Sequence, residues 1–241
     1  MIDKFLYVRK VPITEHISVY IPTVREILEC EELYYSLVSM FTAAPIDYMV
    51  QLDDIGVDFS TINDFELFSY LFQSLADKDV SLIFGDGFSL VDYLPMIDPQ
   101  TKQLAFINKD GDIIDRMVHF EIARTLRTIH NIAKDIRKAG NDEARKYMID
   151  RARAKQARAA RRKKKERSQL ESLIISVVNA PEFKYDFETV LDLTIYQFNA
   201  CFKQIQKRVS FDNLMIGVYA GTVNAKELPE DQLSWVYTNE K

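Results

Sequence analysis

The 241-residue sequence is poor in the residues that build linkers, disulfide frameworks and most active sites. Seven Gly and seven Pro argue against long flexible linkers and against Gly-rich phosphate loops. The two cysteines, Cys30 and Cys201, lie far apart with no C-x-x-C spacing. A disulfide scaffold needs more of them, so both read as reduced thiols in a cytosolic setting. No apolar run approaches the ~18 residues of a membrane-spanning helix, so no membrane role is expected. Asp3 and Lys4 interrupt any N-terminal secretion signal at once, which predicts a chain that stays where it is made. A single Trp leaves 15 Phe and 12 Tyr to supply the large core pieces. The balance, 47% hydrophobic and 28% charged, is ordinary for a globular chain long enough for one large or two small domains.

Catalytic patterns fail one by one. The histidines are His16, His119 and His130. His119-Phe120-Glu121 opens like a zinc deaminase, but no P-C-x-x-C follows. His119 and His130 are separated by roughly three helical turns, too far to chelate one ion. Each reads as a structural histidine. Asn108-Lys109-Asp110-Gly111-Asp112 resembles part of a calcium loop, yet Gly111 at the turn position would put Phe106 and Met117 where ligands belong. Asp53, Asp54 and Asp58 would suit Mg²⁺, although a helix ending at Gly56 explains them equally. No serine has a G-x-S-x-G context, and neither cysteine has a histidine nearby in sequence. The expectation is a protein that is not an enzyme and needs no metal or cofactor.

What the chain does have is a segregated charge. Its net of −5 conceals three unlike segments. Residues 1–115 hold 7 Lys/Arg against 20 Asp/Glu, a net of −13. Residues 116–168 hold 18 against 6, a net of +12, and residues 169–241 hold 6 against 10, a net of −4. Between Arg145 and Arg167 alone, twelve basic residues face two acidic ones. Such asymmetry points to a polyanionic or acidic partner, or to self-association of opposite ends. The candidate partner-binding residues are Arg151, Arg153, Lys155, Arg158, Arg161, Arg162, Lys163, Lys164, Lys165 and Arg167. Phosphate contacts would need only these cations, but no aromatics interleave to stack bases and no leucine-zipper pattern follows. An acidic protein partner, nucleic acid and a solvated connector are the three readings left open.

The expected fold class is α+β: small antiparallel strands and helices first, then a mostly helical C-terminal part with an exposed basic helix. Segments 1–115, 116–168 and 169–241 follow the charge and the periodicity. Strands are expected over Phe5–Lys10 and Ser18–Ile21, as a hairpin, and on either side of Asp110-Gly111. Pro22 is expected to open a helix through Leu33, and Asn63 with Glu66 a capped helix to Leu75. Val80–Phe84 reads as strand. Apolar residues from Val118 to Ile136 recur every three or four positions, predicting a helix to Ala139-Gly140. Ala152–Gln169 has high helix propensity and nothing large and apolar, so it reads as an exposed helix. Leu170–Val177, Phe187–Ile205 and Leu214–Tyr219 complete the expected helices.

Five stretches carry a resemblance: Met49–Phe59 (MVQLDDIGVDF), Ser81–Asp86 (SLIFGD), Gln169–Ile175 (QLESLII), Leu193–Ala200 (LTIYQFNA) and Ile216–Asn224 (IGVYAGTVN). In these the chain resembles uncharacterised tail-region proteins of long-tailed phages and prophages of Firmicutes, encoded where a tail assembly chaperone is expected. The resemblance implies a non-enzymatic protein of the host cytoplasm that binds phage tail proteins, the tape measure or the tail tube. Nucleic-acid binding through the basic helix, or a structural place in the virion tail or neck, are the alternatives. The resemblance supplies no catalytic or ligand-binding residues.

Overall fold

A computed structural model describes residues 4–98, 102–161 and 168–236. The chain opens with a 3₁₀ turn at Lys4–Leu6, where strand was expected. Tyr7 and Val8 both donate to the Lys4 carbonyl, Gln197 Nε2 donates to the Leu6 carbonyl at 2.8 Å, and Phe5 packs on the Tyr196 ring. These tertiary contacts outweigh the β propensity of Phe5–Val8. Strand β1 (Lys10–Pro12) then pairs antiparallel with β2 (Ser18–Tyr20), placing buried Val11 opposite buried Val19.

Helix α1 (Val24–Glu29) begins two residues after Pro22, because Thr23 and Glu26 form a reciprocal capping box. The backbone breaks at Cys30, so the expected single helix becomes α1 and α2 (Glu31–Thr42). Pro45 starts a 3₁₀ turn that leads into α3 (Met49–Asp54), stopped by Gly56 at φ +74°. Helix α4 (Asp64–Ala76) starts where expected, with Asn63 and Glu66 satisfying each other's backbone N–H groups. Ser81–Phe84 is a short helix, α5, rather than strand; Asp79 accepts from the Ser81 N–H at 2.9 Å and sets its first turn.

A three-stranded antiparallel sheet follows, in the order β3 (Leu94–Ile97), β4 (Leu104–Ile107), β5 (Ile113–Ile114). The turn at Asp110-Gly111 is present but wider than two residues. Asn108 Oδ1 gathers the N–H groups of Asp110 at 3.0 Å and Asp112 at 2.8 Å, and Gly111 takes φ +86°. Helix α6 (Arg116–His130) ends well short of Ala139-Gly140. Asn131 adopts the left-handed conformation and the Ile132 N–H turns back to the Arg127 carbonyl. Asn is among the few residues that enter this conformation at little cost, so the helix is capped there.

Helices α7 (Asp142–Arg161), α8 (Gln169–Val178) and α9 (Ile195–Tyr219) follow. The two helices expected across Phe187–Ile205 and Leu214–Tyr219 are one, α9, capped by Thr194 with Gln197; Thr189–Asp192 ahead of it is 3₁₀. The α+β expectation holds: every described strand precedes Met117, both sheets are antiparallel, and the regular structure described beyond them is helical apart from one bridge, Thr23 with Thr194.

The main core stacks Phe41, Phe68, Phe72, Phe84 and Phe106, and draws in Leu170, Ile174 and Phe198 from the C-terminal helices. A smaller cluster gathers Ala43, Ala44, Ile46, Leu52, Phe59, Leu67 and Ile149. The second cluster positions the basic helix.

Candidate functional site

Helix α7 is docked at its root and free beyond it. Asn141 Oδ1 accepts from the Ala144 N–H at 2.8 Å, starting the helix, and Asp142 and Glu143 complement its dipole. Ile149 is its one buried residue, 7% exposed within the smaller core, with Met148 beside it. Arg145 and Arg153 lie one turn to either side of Ile149 on the same face. Arg145 pairs with Asp58, and Arg153 Nη2 sits 2.7 Å from Asp53 and 2.6 Å from Asp54. Hydrogen bonds donated to Asp53 and Asp54 raise the Arg153 pKa further above its usual value. The three carboxylates weighed as a Mg²⁺ site are therefore counter-ions of α7.

The cations beyond this root behave differently. Arg151, Lys155, Arg158 and Arg161 are exposed, and none is in an ion pair among the described residues. Twelve residues separate Ile149 from Arg161, about 18 Å at 1.5 Å per residue. A concavity of about 860 Å³ runs along Tyr147, Asp150, Arg151, Ala154, Lys155, Arg158 and Ala159. At 3.6 residues per turn, this face lies opposite Arg145, Ile149 and Arg153. Of the candidate residues, Arg153 is thus engaged internally, whereas Arg151, Lys155, Arg158 and Arg161 share an unpartnered side of the helix. Arg162, Lys163, Lys164, Lys165 and Arg167 lie outside the described residues. The chain re-enters the body at Leu170, whose N–H donates to the Glu31 carboxylate at 3.0 Å, while Ser168 caps α8.

A second surface was not legible from composition. Only the first turn of α9 is buried, through Ile195, Tyr196 and Phe198. Its far end leaves Val209 exposed, with Ile216 at 66% and Tyr219 at 87% exposure. The chain after α9 folds back along it. Gln204 Nε2 donates to the Trp235 carbonyl at 2.7 Å, Lys207 Nζ donates to that of Val236 at 3.0 Å, and the Arg208 guanidinium lies 4.6 Å from the Trp235 ring centroid. The signal available in sequence was the lone Trp235 downstream of a helix carrying Arg208. Strand β3 adds further exposed apolar area through Leu94, Met96 and Ile97.

Two histidines and both cysteines are drawn into the fold. His119 is 2% exposed, stacked 4.4 Å from Phe68, and hydrogen-bonded to the Phe41 backbone. Burial pushes its pKa down to about 4. His130 Nε2 lies 2.8 Å from the buried Tyr34 hydroxyl, and burial lowers this histidine to about 4 as well. Cys30 and Cys201 are half-buried, free and raised in pKa, chiefly by that burial, the opposite of an activated thiol. Among the described residues no three His, Cys, Asp or Glu side chains converge as a metal site. No described helix is long and apolar enough to cross a membrane.

No curated protein and no solved structure matches the chain. Residues 162–237 match the family model described as YomV second domain, a Bacillus phage-type family. The match covers less than half of the chain and takes in α8, α9 and the returning segment through Trp235 and Val236. In this C-terminal stretch the chain is similar to a domain of a phage-type protein.

Proposed function

We propose that this chain is a non-enzymatic phage tail morphogenesis protein, acting as a tail assembly chaperone for the tail-tube subunit or the tape-measure protein. The observation that carries the reading is α7. A rooted helix projects Arg151, Lys155, Arg158 and Arg161 with no ion-pair partner among the described residues. Holding unassembled subunits apart calls for adhesive surfaces rather than reacting groups. The exposed apolar end of α9 supplies area for helix-in-groove contact. The cations of α7 would speed encounter with an acidic partner more than they tighten the final complex. The similarity of residues 162–237 to a phage-type domain supports the phage setting.

Co-expression tests this directly. The chain should keep the tail-tube subunit or a tape-measure fragment soluble and co-elute with it after nuclease treatment. Aggregation of both clients in its presence, or retention on DNA in place of either client, would contradict the reading. Abundant chain in purified mature virions would mark it as a structural component instead.

A further inference from the structure

The free side of α7 carries a register as well as a charge. Tyr147, Arg151, Ala154 and Arg158 follow one another at intervals of four, three and four residues, so they form a single stripe along the helix. At 1.5 Å per residue the stripe is about 16 Å long. All four residues are exposed, Tyr147 at 66%. They line the concavity on this side of the helix, together with Asp150, Lys155 and Ala159. The stems of Arg and Lys are aliphatic, so the alanines, the tyrosine ring and these stems make most of that lining apolar. The charged heads are Asp150 nearest the root, then Arg151, Lys155 and Arg158 further out. Residues 162–167 add five cations against one carboxylate, so the sequence that follows brings little negative charge to match them.

We infer that this side of α7 seats one acidic amphipathic helix of a protein client. An apolar ridge of that helix packs over Ala154 and against the Tyr147 ring, and its flanking Glu or Asp pair with Arg151, Lys155 and Arg158. The inference rests on the reading that α7 binds a tail protein, and it names what that protein must present. Alanine between longer neighbours leaves a hole that a Leu knob of a facing helix can enter, as in coiled-coil packing. The pairs at the root of α7, Arg153 with Asp53 and Asp54, already show guanidinium held by clustered carboxylates. Nucleic acid brings phosphates but no ridge for the hole, and the stripe offers one aromatic ring on which a base could stack. An unstructured acidic tail would meet the charges and leave the hole empty. Asp150 sets the direction, with a Lys or Arg of the client helix opposite it and the carboxylates towards the outer end.

Three synthetic helices of about three heptads test it, titrated calorimetrically into the full-length, nuclease-treated chain. The first carries Leu at heptad spacing flanked by Glu. The second keeps every charge but has Ala for Leu, and the third scatters the same Leu and Glu around the helix. At about 0.05 M salt the first should bind at least tenfold more tightly than the other two. Variant Ala154→Gln fills the hole without changing charge, and should weaken the first peptide several-fold while leaving the second unchanged. Variant Lys155→Glu/Arg158→Glu should abolish binding of the first peptide. All three positions are exposed, so far-UV circular dichroism should match the wild type. Equal binding of the three peptides overturns the inference, as does an Ala154→Gln variant that binds the first peptide like the wild type. A DNA duplex that displaces the first peptide at equal concentration assigns the stripe to nucleic acid and overturns it too. Should a tail client bind while the three peptides bind alike, the inference falls and the chaperone reading stands. Should the first peptide bind as expected while neither client does, the seat stands and the tail reading falls.

Discussion

At the scale of single residues, stability depends on aromatic stacking and on a histidine kept neutral. Phe68 is 1% exposed and contacts Phe41, Phe65, Phe72, Phe106 and His119. Truncating it as Phe68→Ala should cost about 3–5 kcal/mol, read as a drop in the urea midpoint. His119 sits in the same stack with its pKa near 4, against about 6.5 for an unfolded imidazole. The unfolded chain therefore binds the extra proton first. Stability should be complete above pH 6.5, decline as pH falls towards 4, and take no further loss from this group below that. His130, lowered to about 4 by burial as well, contributes in the same window. Urea midpoints between pH 4 and 7 should show the slope in the wild type and a flatter one in His119→Phe. An equal slope in that variant would assign the acid sensitivity elsewhere.

At the scale of elements, α7 is two pieces with different energetics. Ile149→Ala should cost about 2–3 kcal/mol by opening the smaller core. Replacing Arg158, Arg161, Arg162, Lys163, Lys164 and Lys165 with Gln should move stability by less than the ~0.5 kcal/mol typical of surface changes. Arg145→Gln with Arg153→Gln should leave the urea midpoint almost in place while amide exchange over the first turns of α7 accelerates. Uniform exchange in that double variant would mean that Ile149 alone holds the helix. The root was readable in part. Ile149 is the last apolar residue before the basic run, and the Asp53, Asp54, Asp58 trio was visible, but nothing in one sequence brings them together. The Asn63–Glu66 box was read correctly because its signature is local. Thr23–Glu26 and Thr194–Gln197 carry the same signature, beside the competing signals of Pro22 and the Phe187 periodicity. Asn131 is a weaker stop in sequence than Ala139-Gly140, yet it ends α6. Lys4–Leu6 and Ser81–Phe84 defeat pattern reading for another reason, since contacts with distant residues and a local carboxylate decide them.

At the scale of the whole molecule, an acid-rich body carries a projecting basic helix and an apolar helix end. The charge separation was legible in the sequence because it is a matter of counting. The apolar end of α9 was not, since its periodicity is that of a buried helix and only the fold shows that no described residue buries Ile216 and Tyr219. The central claim is that the free side of α7 recruits a tail protein. Calorimetric titration of the tail-tube subunit and of a tape-measure fragment into the purified chain, repeated from about 0.05 to 0.5 M salt, tests it most directly. One client should bind, with affinity falling at least tenfold as salt rises. The six-residue Gln variant should bind more weakly at low salt and with a flatter salt dependence. No binding of either client, or a Gln variant identical to the wild type at every salt concentration, would contradict the account.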